Sequence, residues 1–479
     1  MNDCCFGIDF GTTNSACVAI LEGRKEIKIG DGYENPFPSI VAVDKLSGKE
    51  AFCGREVWVR RQELSQTCKI FTSVKNNLGT DWKETIQNID WVPEMIAAKI
   101  LGSLQLQARE QAGIKKLEHA VVAVPAGFSP EKRKSLRIAA RAVGIQIDSF
   151  ISEPTAALFC HISEIGSYSK IGVIDWGGGT FDVSIIKLGS SDNGHKIVKE
   201  LGVGGLNLGG DDIDLRIAEW AHNQIINIKG TRTAFDEMPA EARDQLIARC
   251  ERAKRALAFD DIAPIRLNRY GDLGAVNIPL DIEILTSLTA GYVADAVKCF
   301  EETLGRSRLS IEDLGCILMV GGSVNIEPFS KAADKRWSCA KYYPADSDWS
   351  VAKGAALLAM NSGQYRIASD IGVAMSDDTF FPIIKSGEKL DNRKKHFTFG
   401  LVEDSDTASF IFADSYGNML GHLDVPAFGF FREKIVLEIF IDENLVFRAD
   451  ARSSNHGEEY ANSWLYSGMA FDYELPVVK

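Results

Sequence analysis

The stretch IGVIDWGGGTFDVSIIK, residues 171–187, decides the fold because it joins two β-branched runs through three consecutive glycines. This pattern predicts a strand, a tight turn and a second strand. A glycine turn gives up side-chain packing, so it usually lets the backbone approach a ligand or reach positive φ. Asp175 ends the first strand, Thr180 follows the glycines and Asp182 opens the second strand. Backbone amides beside two carboxylates and a hydroxyl suit a phosphate whose charge is carried by Mg²⁺.

The start of the chain repeats this pattern. FGIDFGTTNSACVAI, residues 6–20, is an apolar strand that ends in Asp9 and is followed by Gly11, Thr12 and Thr13 before the next strand. For one copy alone, a plain hairpin turn would be an equal alternative. Two such units about 165 residues apart predict two related halves that clamp the phosphates of a nucleotide in the cleft between them.

Seven segments carry a resemblance to a known family. They are GIDFGTTNSACVAI, AVVAVPAGFSPEKR, ISEPTAAL, IGVIDWGGGTFDVSII, NLGGDDID, CERAKRAL and ILMVGGS. In this order they resemble the motifs of the ATPase domain of the 70-kDa heat-shock (DnaK-type) chaperones, a branch of the actin, hexokinase and sugar-kinase superfold. Sugar kinases and actins share the phosphate turns but not the EPTAA, ERAKR or VPA segments, which favours the chaperone branch.

The resemblance predicts an α/β fold in which residues 1–362 form a duplicated actin-like, hexokinase-like ATPase domain. Residues 363–370 are polar and are predicted as a linker. Over residues 371–479 the hydrophobic pattern alternates in short runs bounded by Gly, Asp, Asn and Ser, which predicts a small all-β sandwich. In its place and size this sandwich resembles the peptide-binding domain of the family.

Composition narrows the class of protein further. A chain of 479 residues with 45% hydrophobic residues has room for about three domains with buried cores. The net charge of -13 argues against nucleic-acid and anionic-membrane partners, which require a basic face. The start of the sequence does not resemble a signal peptide, and no apolar run reaches bilayer length. We therefore expect a cytoplasmic monomer, whose ten cysteines are reduced thiols because they lack zinc-like spacing.

The resemblance also implies which residues assist hydrolysis. Lys75 matches the active-site lysine of the family, where a cation neutralises charge that develops on the transferring phosphoryl group. On residue type alone, it would be a solvated surface lysine. Glu153 matches a carboxylate near Mg²⁺ and the attacking water, and Asp175 and Thr180 complete the predicted catalytic set. The predicted Mg²⁺ ligands, which act largely through water, are Asp9, Asp175 and Asp182.

The predicted nucleotide site extends beyond the two turns. The resemblance implies ATP or ADP with Mg²⁺ as cofactors and allows K⁺ as a further ion. A glycine-rich loop leads into a helix that starts at an Asp pair, and such a helix N-terminus attracts anions. The helix ARDQLIARCERAKRALAF supplies the residues matched to ribose and adenine. The assigned nucleotide-binding residues are Gly11, Thr12, Thr13, Gly177, Gly178, Gly179, Gly209, Gly210, Glu251, Lys254, Arg255, Gly321, Gly322, Ser323 and Asp348.

Two departures from the family pattern weaken the predicted base site. Ala258 stands where the family commonly has a serine that contacts the base, and Asn325 stands where it has an arginine that stacks on adenine. An arginine over an aromatic base supplies cation–π attraction and planar stacking. We therefore expect ATP to bind more weakly than in the family at large, but still to bind.

Coupling between the two predicted domains is also expected to be weak. Pro125 and Arg133 match the proline switch and relay arginine of the family, which report nucleotide state to the neighbouring domain. The linker is polar where the family has leucines, and no helical lid follows the sandwich in the sequence. The match of the peptide groove is loose, and a role in the sandwich core is equally open for its predicted lining residues, Met375, Phe399 and Ile411.

Three functions remain open from the sequence. The preferred function is an ATP-hydrolysing chaperone-like protein that binds unfolded or extended peptide segments, with a J-domain co-chaperone and a nucleotide exchange factor as further partners. The longer insertion that the family has between Gly79 and Glu94 is absent, which puts contacts with some exchange factors in doubt. The second is a nucleotide-sensing adaptor that binds ATP with little turnover and docks one dedicated protein. The third is a sugar-kinase-like enzyme, which turnover without a small-molecule acceptor would exclude.

Overall fold

The computed structural model describes residues 4–21, 25–113, 117–190, 196–360, 365–390, 393–402 and 404–475. The fold is mixed α/β, with two related halves, each built on a central sheet, followed by two four-stranded sheets. Over the described ranges, every helix is too short or too polar to cross a membrane.

The first half is organised around β1, which lies parallel to β10 and forms an antiparallel hairpin with β2. Its central sheet has the order β11-β10-β1-β2-β3, and β4 also pairs with β2. The elements of this half are β1 (Cys5–Asp9), β2 (Asn14–Ile20), β3 (Glu26–Ile29), β4 (Phe37–Pro38), β5 (Val41–Asp44), β6 (Glu50–Cys53), α1 (Arg55–Thr67), β7 (Cys68–Phe71), α2 (Val74–Asn77), β8 (Glu84–Ile86), β9 (Ile89–Trp91), α3 (Pro93–Ala112), β10 (His119–Val124), α4 (Pro130–Ala142), β11 (Gln146–Ser152), α5 (Glu153–Cys160) and α6 (Ile162–Ile165).

The second half repeats this plan, because β12 lies parallel to β17 and forms an antiparallel hairpin with β13. The predicted duplication of one α/β unit is therefore confirmed. The elements of this half are β12 (Lys170–Trp176), β13 (Phe181–Ser190), β14 (Lys196–Leu206), α7 (Gly210–Lys229), α8 (Ala240–Ala256), β15 (Ile262–Leu267), β16 (Val276–Asp281), α9 (Ile282–Arg306), β17 (Cys316–Val320), α10 (Glu327–Arg336) and β18 (Ala340–Tyr342). The helix that follows, α11 (Ser350–Met360), packs on β1, β2 and β10 of the first half.

The C-terminal strands form the predicted β-sandwich, with sheet orders β21-β20-β23-β24 and β22-β25-β26-β27. Buried residues alternate along them and include Phe412, Leu437 and Phe447, which are fully buried. The strands of the sandwich are β20 (Ile371–Ala374), β21 (Phe380–Ile384), β22 (Lys395–Gly400), β23 (Thr407–Asp414), β24 (Met419–Pro426), β25 (Lys434–Ile441), β26 (Phe447–Ser453) and β27 (Asn462–Tyr466). They are flanked in the chain by β19 (Tyr365–Ile367) and β28 (Phe471–Leu475), which belong to another sheet.

The predicted domain limits do not coincide with the limits of the sheets. The sheet of the second half has the order β18-β17-β12-β13-β14-β28-β19, so it includes one strand from the predicted linker, 363–370, and one from the predicted sandwich, 371–479. Residues 363 and 364 lie outside the described residues. Alternation of polar and apolar residues predicts a strand but not its partner. Without β28, the backbone groups along one edge of β14 would be unpaired, and β28 supplies their partners. The division into domains remains a prediction, and two strands from beyond the predicted ATPase domain, β19 and β28, pair within the sheet of the second half.

Helix α11 packs on α5 and β1 at the centre of the molecule. Glycine permits this close approach on both sides. A Cβ on Gly354 of α11 would overlap the carbonyl oxygen of Ala156 in α5, and a Cβ on Gly7 of β1 would overlap the backbone of α11 at Ala352 and Ala356. The two glycines therefore set the distance between this helix and its neighbours.

We predict opposite effects of the same substitution in two helices. Gly291→Ala in α9 should stabilise the protein by about 0.5–1 kcal/mol, because alanine favours helix and a Cβ there meets no atom within 4 Å. Gly354→Ala should destabilise it, because the added methyl group must displace α5. Urea unfolding of both variants measures the free energies, and a stabilising Gly354→Ala would contradict this account of the packing.

Candidate active site

The two glycine turns face each other across a cavity of about 150 Å³. Within each hairpin, strand pairing fixes the residues beside the turn: Asp9 lies opposite Ala16 in the first hairpin, and Asp175 lies opposite Asp182 in the second. Most of the predicted phosphate and metal residues line this one cavity: Asp9, Gly11, Thr12, Thr13, Lys75, Glu153, Asp175, Gly177, Gly178, Gly179, Thr180, Gly321, Gly322 and Asp348.

A buried ion pair lies at this cavity. The Lys75 ammonium is 2.5 Å from Glu153 Oε1, and the two side chains are 4% and 8% exposed. Lys75 belongs to α2, whereas Glu153 is the first residue of α5, so the pair joins elements far apart in the chain. Burial opposes the charge of Lys75, but Glu153 and Asp9 outweigh it and raise the pKa of the lysine. Lys75 is therefore a buried cation and not a solvated surface lysine.

Carboxylates crowd around this pair. Burial, together with the charge of Glu153, raises the pKa of Asp9 and the pKa of Asp182 to about 7 each. The same causes raise the pKa of Asp175 well above its usual value. The site thus holds more negative than positive charge, which favours binding of a cation or of protons.

Asp182 has one free oxygen in the structure. The Thr180 side chain hydrogen-bonds this carboxyl and Oδ1 accepts the amide hydrogen of Ala126 at 2.7 Å, while Oδ2 is buried and has no well-aligned hydrogen-bond partner among the described residues. Asp182 also lines a second cavity of about 120 Å³ with Lys75, Pro125 and Thr180. An unsatisfied buried carboxylate oxygen is expected where water or a metal ion binds.

These residues fit a hydrated Mg²⁺. Among the described residues, no group of three His, Cys, Asp or Glu side chains comes close enough to ligate one metal ion directly. Mg²⁺ usually keeps several waters and is bound through one or two carboxylates. Asp9 and Asp175 in the lining of one cavity, together with the unsatisfied Oδ2 of Asp182, agree with binding through water. The assignment of Asp9, Asp175 and Asp182 as its ligands remains a prediction.

The second turn is tied to the start of α7 and to Gly321 and Gly322, the third glycine pair of the sequence. The carbonyls of Gly177 and Gly178 accept the amides of Gly210 and Asp211 at 3.0 and 2.8 Å. Ser323 Oγ also donates to the carbonyl of Gly177, at 3.1 Å. A Cβ on Gly209 would overlap the backbone of the turn. These contacts place the other predicted phosphate residues directly beside the cavity, although not in its lining.

The predicted base and ribose residues lie on α8. Lys254 pairs with Asp214 at 2.9 Å and donates to the carbonyl of Gly210, so it joins α8 to α7. Glu251 and Arg255 pair with each other at 2.7 Å along the helix. Sequence reasoning missed Asp214, whose position three residues after Asp211 in GGDDID places both on one face of α7. Its pKa is raised to about 7, chiefly by burial.

A contact across the cleft was also missed. The Ser73 hydroxyl in the first half donates to Asp211 Oδ2 at 2.6 Å, and the Thr13 hydroxyl lies 3.5 Å from Asp211 Oδ1. Ser73 and Asp211 are 138 positions apart in the chain, so a local sequence pattern could not reveal their contact. Ser73 has a positive φ of 53° without being glycine, which is a strained conformation held by its surroundings.

Pro125 and Arg133 flank the N-terminus of α4. Ser129 caps this helix, because its Oγ accepts the amide hydrogen of Lys132, and Pro130 is the first helical residue. Pro125 lies beside Asp182 in the smaller cavity, whereas Arg133 reaches the C-terminal part and donates to the carbonyl of Asn444 at 2.8 Å. Their role in signalling remains a prediction.

The three predicted peptide residues do not share one face. Met375 and Phe399 are partly buried against the sandwich core, and Phe399 packs edge-on against Phe410 at 5.2 Å. Ile411 is 44% exposed, because it follows Phe410 in β23 and successive residues of a strand point to opposite faces. The assignment of these three residues to a peptide groove remains a prediction.

One comparison with known proteins identifies a family. Residues 85–369 match a family model described as Hsp70 protein. The match covers more than half of the chain, including Glu153, the second glycine turn and the third glycine pair. It agrees with the duplicated fold and with the placement of carboxylates at paired glycine turns.

We predict that Asp182→Asn changes stability in a pH-dependent way. The native pKa of about 7 exceeds the unfolded value of about 4, so native stability falls as pH rises between these values. Asparagine does not titrate, so it removes this pH-dependent loss of stability, and its side-chain oxygen can still accept the amide hydrogen of Ala126. Urea unfolding in EDTA should therefore show a larger gain for the variant at pH 8 than at pH 5.

The matched control for this experiment is Asp261→Asn, which changes an exposed carboxylate of the same type. Its effect on the free energy of unfolding should be small and should be the same at pH 5 and pH 8. An equal gain for Asp182→Asn at both values would contradict a raised pKa at this position.

Proposed function

Because the chain belongs to the Hsp70 family, we propose that it hydrolyses ATP and binds unfolded or extended peptide segments through its C-terminal sandwich under nucleotide control. Members of the family are ATPases that bind ATP or ADP with Mg²⁺, and this chain is a chaperone-like ATP-binding protein of that kind. The observation that carries the proposal is the buried pair of Lys75 and Glu153 at a cavity between two glycine turns.

The mechanism follows from the position of each group. Turn amides with the hydroxyls of Thr12, Thr13 and Thr180 would hold the phosphate oxygens. Lys75 would neutralise charge that develops on the transferring phosphoryl group, and Glu153 would orient the water for in-line attack. Asp9, Asp175 and Asp182 would hold Mg²⁺ through water, and the ion would supply positive charge that offsets the charge developing on the phosphates.

The halves would have to separate before a whole nucleotide could enter. The cavity of about 150 Å³ is smaller than the about 300–1,000 Å³ of most small-molecule sites. Residues that cross the cleft hold it closed, in particular Ser73 and Asp211. A phosphate group would compete with the Asp211 carboxylate for the Thr13 hydroxyl. Opening would break these contacts and connect the cavity to the base residues on α8.

The alternative function, an adaptor for one dedicated protein, is favoured by a different observation. The loop between β24 and β25 exposes Phe428, Phe430 and Phe431 by 58%, 49% and 57%. Buried Glu433 holds this loop, because it accepts the amides of Phe428 and Gly429 at 2.8 and 3.0 Å. Exposed aromatic side chains on an ordered loop are typical of a protein-binding surface.

An ATPase assay with and without a library of unfolded peptides separates the two functions. The chaperone-like function predicts turnover that many unrelated peptides stimulate, without any small-molecule acceptor. The adaptor function predicts nucleotide binding with little turnover and no response to the library. A J-domain protein and an exchange factor, added in turn, test the two further partners. Absence of ATP·Mg binding in calorimetry would reject both functions.

We predict that Lys75→Ala slows hydrolysis much more than it weakens ATP binding. A charge aimed at the transferring phosphoryl group contributes mainly when charge develops there, so kcat should fall by about 10²-fold or more. Single-turnover hydrolysis and calorimetry measure the two effects. The matched control is Lys134→Ala on the exposed face of α4, which should change neither. Equal turnover in Lys75→Ala and the wild type would exclude Lys75 from the reaction.

A further inference from the structure

Strand β28 is an inner strand of the sheet in the second half, although it comes from the end of the described chain. It pairs with β14 over Lys196–Lys199 and with β19 over Tyr365–Ile367. Alternate side chains of β28 are buried, with Phe471, Tyr473 and Leu475 at 6%, 2% and 4% exposure. This strand is therefore firmly seated by backbone pairing on two sides and by burial of one face.

Glu200 follows the paired part of β14 and is only 3% exposed. Its carboxylate accepts the amide of Phe471 at 3.1 Å, the Ser152 hydroxyl at 3.0 Å and the Thr155 hydroxyl. A buried carboxylate is stable only when donors satisfy it, so these three groups are held together. Glu200 thus connects the first residue of β28 to the N-terminus of α5.

The same helix carries Glu153. Ser152 is the N-cap of α5, and its hydroxyl oxygen accepts the amide of Thr155 at 3.4 Å. Glu153 is the next residue and forms the ion pair with Lys75. At the other end of α5, Phe159 packs edge-on against Tyr473 of β28, with ring centroids 5.4 Å apart. Strand β28 is therefore linked to α5 at both ends, through Glu200 at the N-terminus and by direct contact of Tyr473 with Phe159 at the other end.

We propose that Glu200 is a positioning residue that makes the placement of Glu153 depend on the seating of β28. The proposal rests on the proposed hydrolysis, in which Glu153 orients the attacking water. Strand β27 of the sandwich ends at Tyr466, so only residues 467–470 join the sandwich to β28. A partner that moves the sandwich would pull on β28, and loss of the Phe471 amide from Glu200 would release the N-terminus of α5.

Paired variants test this connection from both sides. Glu200→Leu removes the acceptor, and Phe471→Pro removes the amide hydrogen. Each should lower kcat by about tenfold or more while KM for ATP stays within about twofold, because displacement of a reacting group by about 1 Å can cost 10²-fold. Glu200→Gln keeps an acceptor oxygen, and Phe471→Leu keeps the amide, so both should retain most of the activity. The double variant Glu200→Leu/Phe471→Pro should be no slower than the slower single variant.

Hydrogen exchange gives a readout that does not depend on turnover. The Thr155 amide should exchange faster in Glu200→Leu and in Phe471→Pro than in the wild type, Glu200→Gln and Phe471→Leu. Faster exchange with unchanged kcat would overturn the effect on hydrolysis, and unchanged exchange would overturn the connection itself. If the wild type shows no turnover, the proposed hydrolysis fails, and the exchange result alone decides whether Glu200 joins β28 to α5.

Discussion

The structure depends on an imbalance of buried charge between four carboxylates, those of Asp9, Glu153, Asp175 and Asp182, and the ammonium of Lys75. Burial, together with the charge of neighbouring carboxylates, raises the pKa values of the three aspartates, because buried like charges are unfavourable unless protons or a cation offset them. Such an arrangement costs stability in the empty protein. It is understandable at a site that receives a metal ion together with phosphates, because the ion restores the balance of charge.

Duplication of one hairpin unit creates this imbalance. Each half supplies a strand that carries an aspartate beside a glycine turn. The first half contributes Asp9 and Glu153 and the second contributes Asp175 and Asp182, so neither half alone brings the four carboxylates together. Close packing of α11 against α5 and β1, permitted by Gly7 and Gly354, fixes the distances among these three elements. The same packing holds α5, and with it Glu153, between the two turns. The chemistry of the site therefore follows from how tightly three central elements approach.

The C-terminal part is joined to this centre by backbone pairing as well as by surface contacts. Strands β19 and β28 extend the sheet of the second half, and the loop after β25 meets α4 through Arg133 and Arg137. A polar linker suggested weak communication between the two parts. Pairing through main-chain groups does not require apolar side chains, so a polar sequence can still be held firmly in a sheet.

Sequence by itself determined the features that depend on neighbouring residues. The glycine turns with Asp9 and Asp175, the cap of α4 at Ser129 and the alternating strands of the sandwich follow from local backbone preferences and from the period of apolar residues. Lys75 and Glu153 came from resemblance, since nothing local distinguishes a buried lysine from a solvated one.

Only the tertiary structure decided which distant groups meet. The contact of Ser73 with Asp211 and the acceptance of the Phe471 amide by Glu200 join residues 138 and 271 positions apart. Strand alternation specifies which face of β28 is buried, yet it leaves the partner strand open, because any free strand edge offers the same backbone donors and acceptors. The partner is chosen by the packing of the whole chain, which no short segment of sequence encodes.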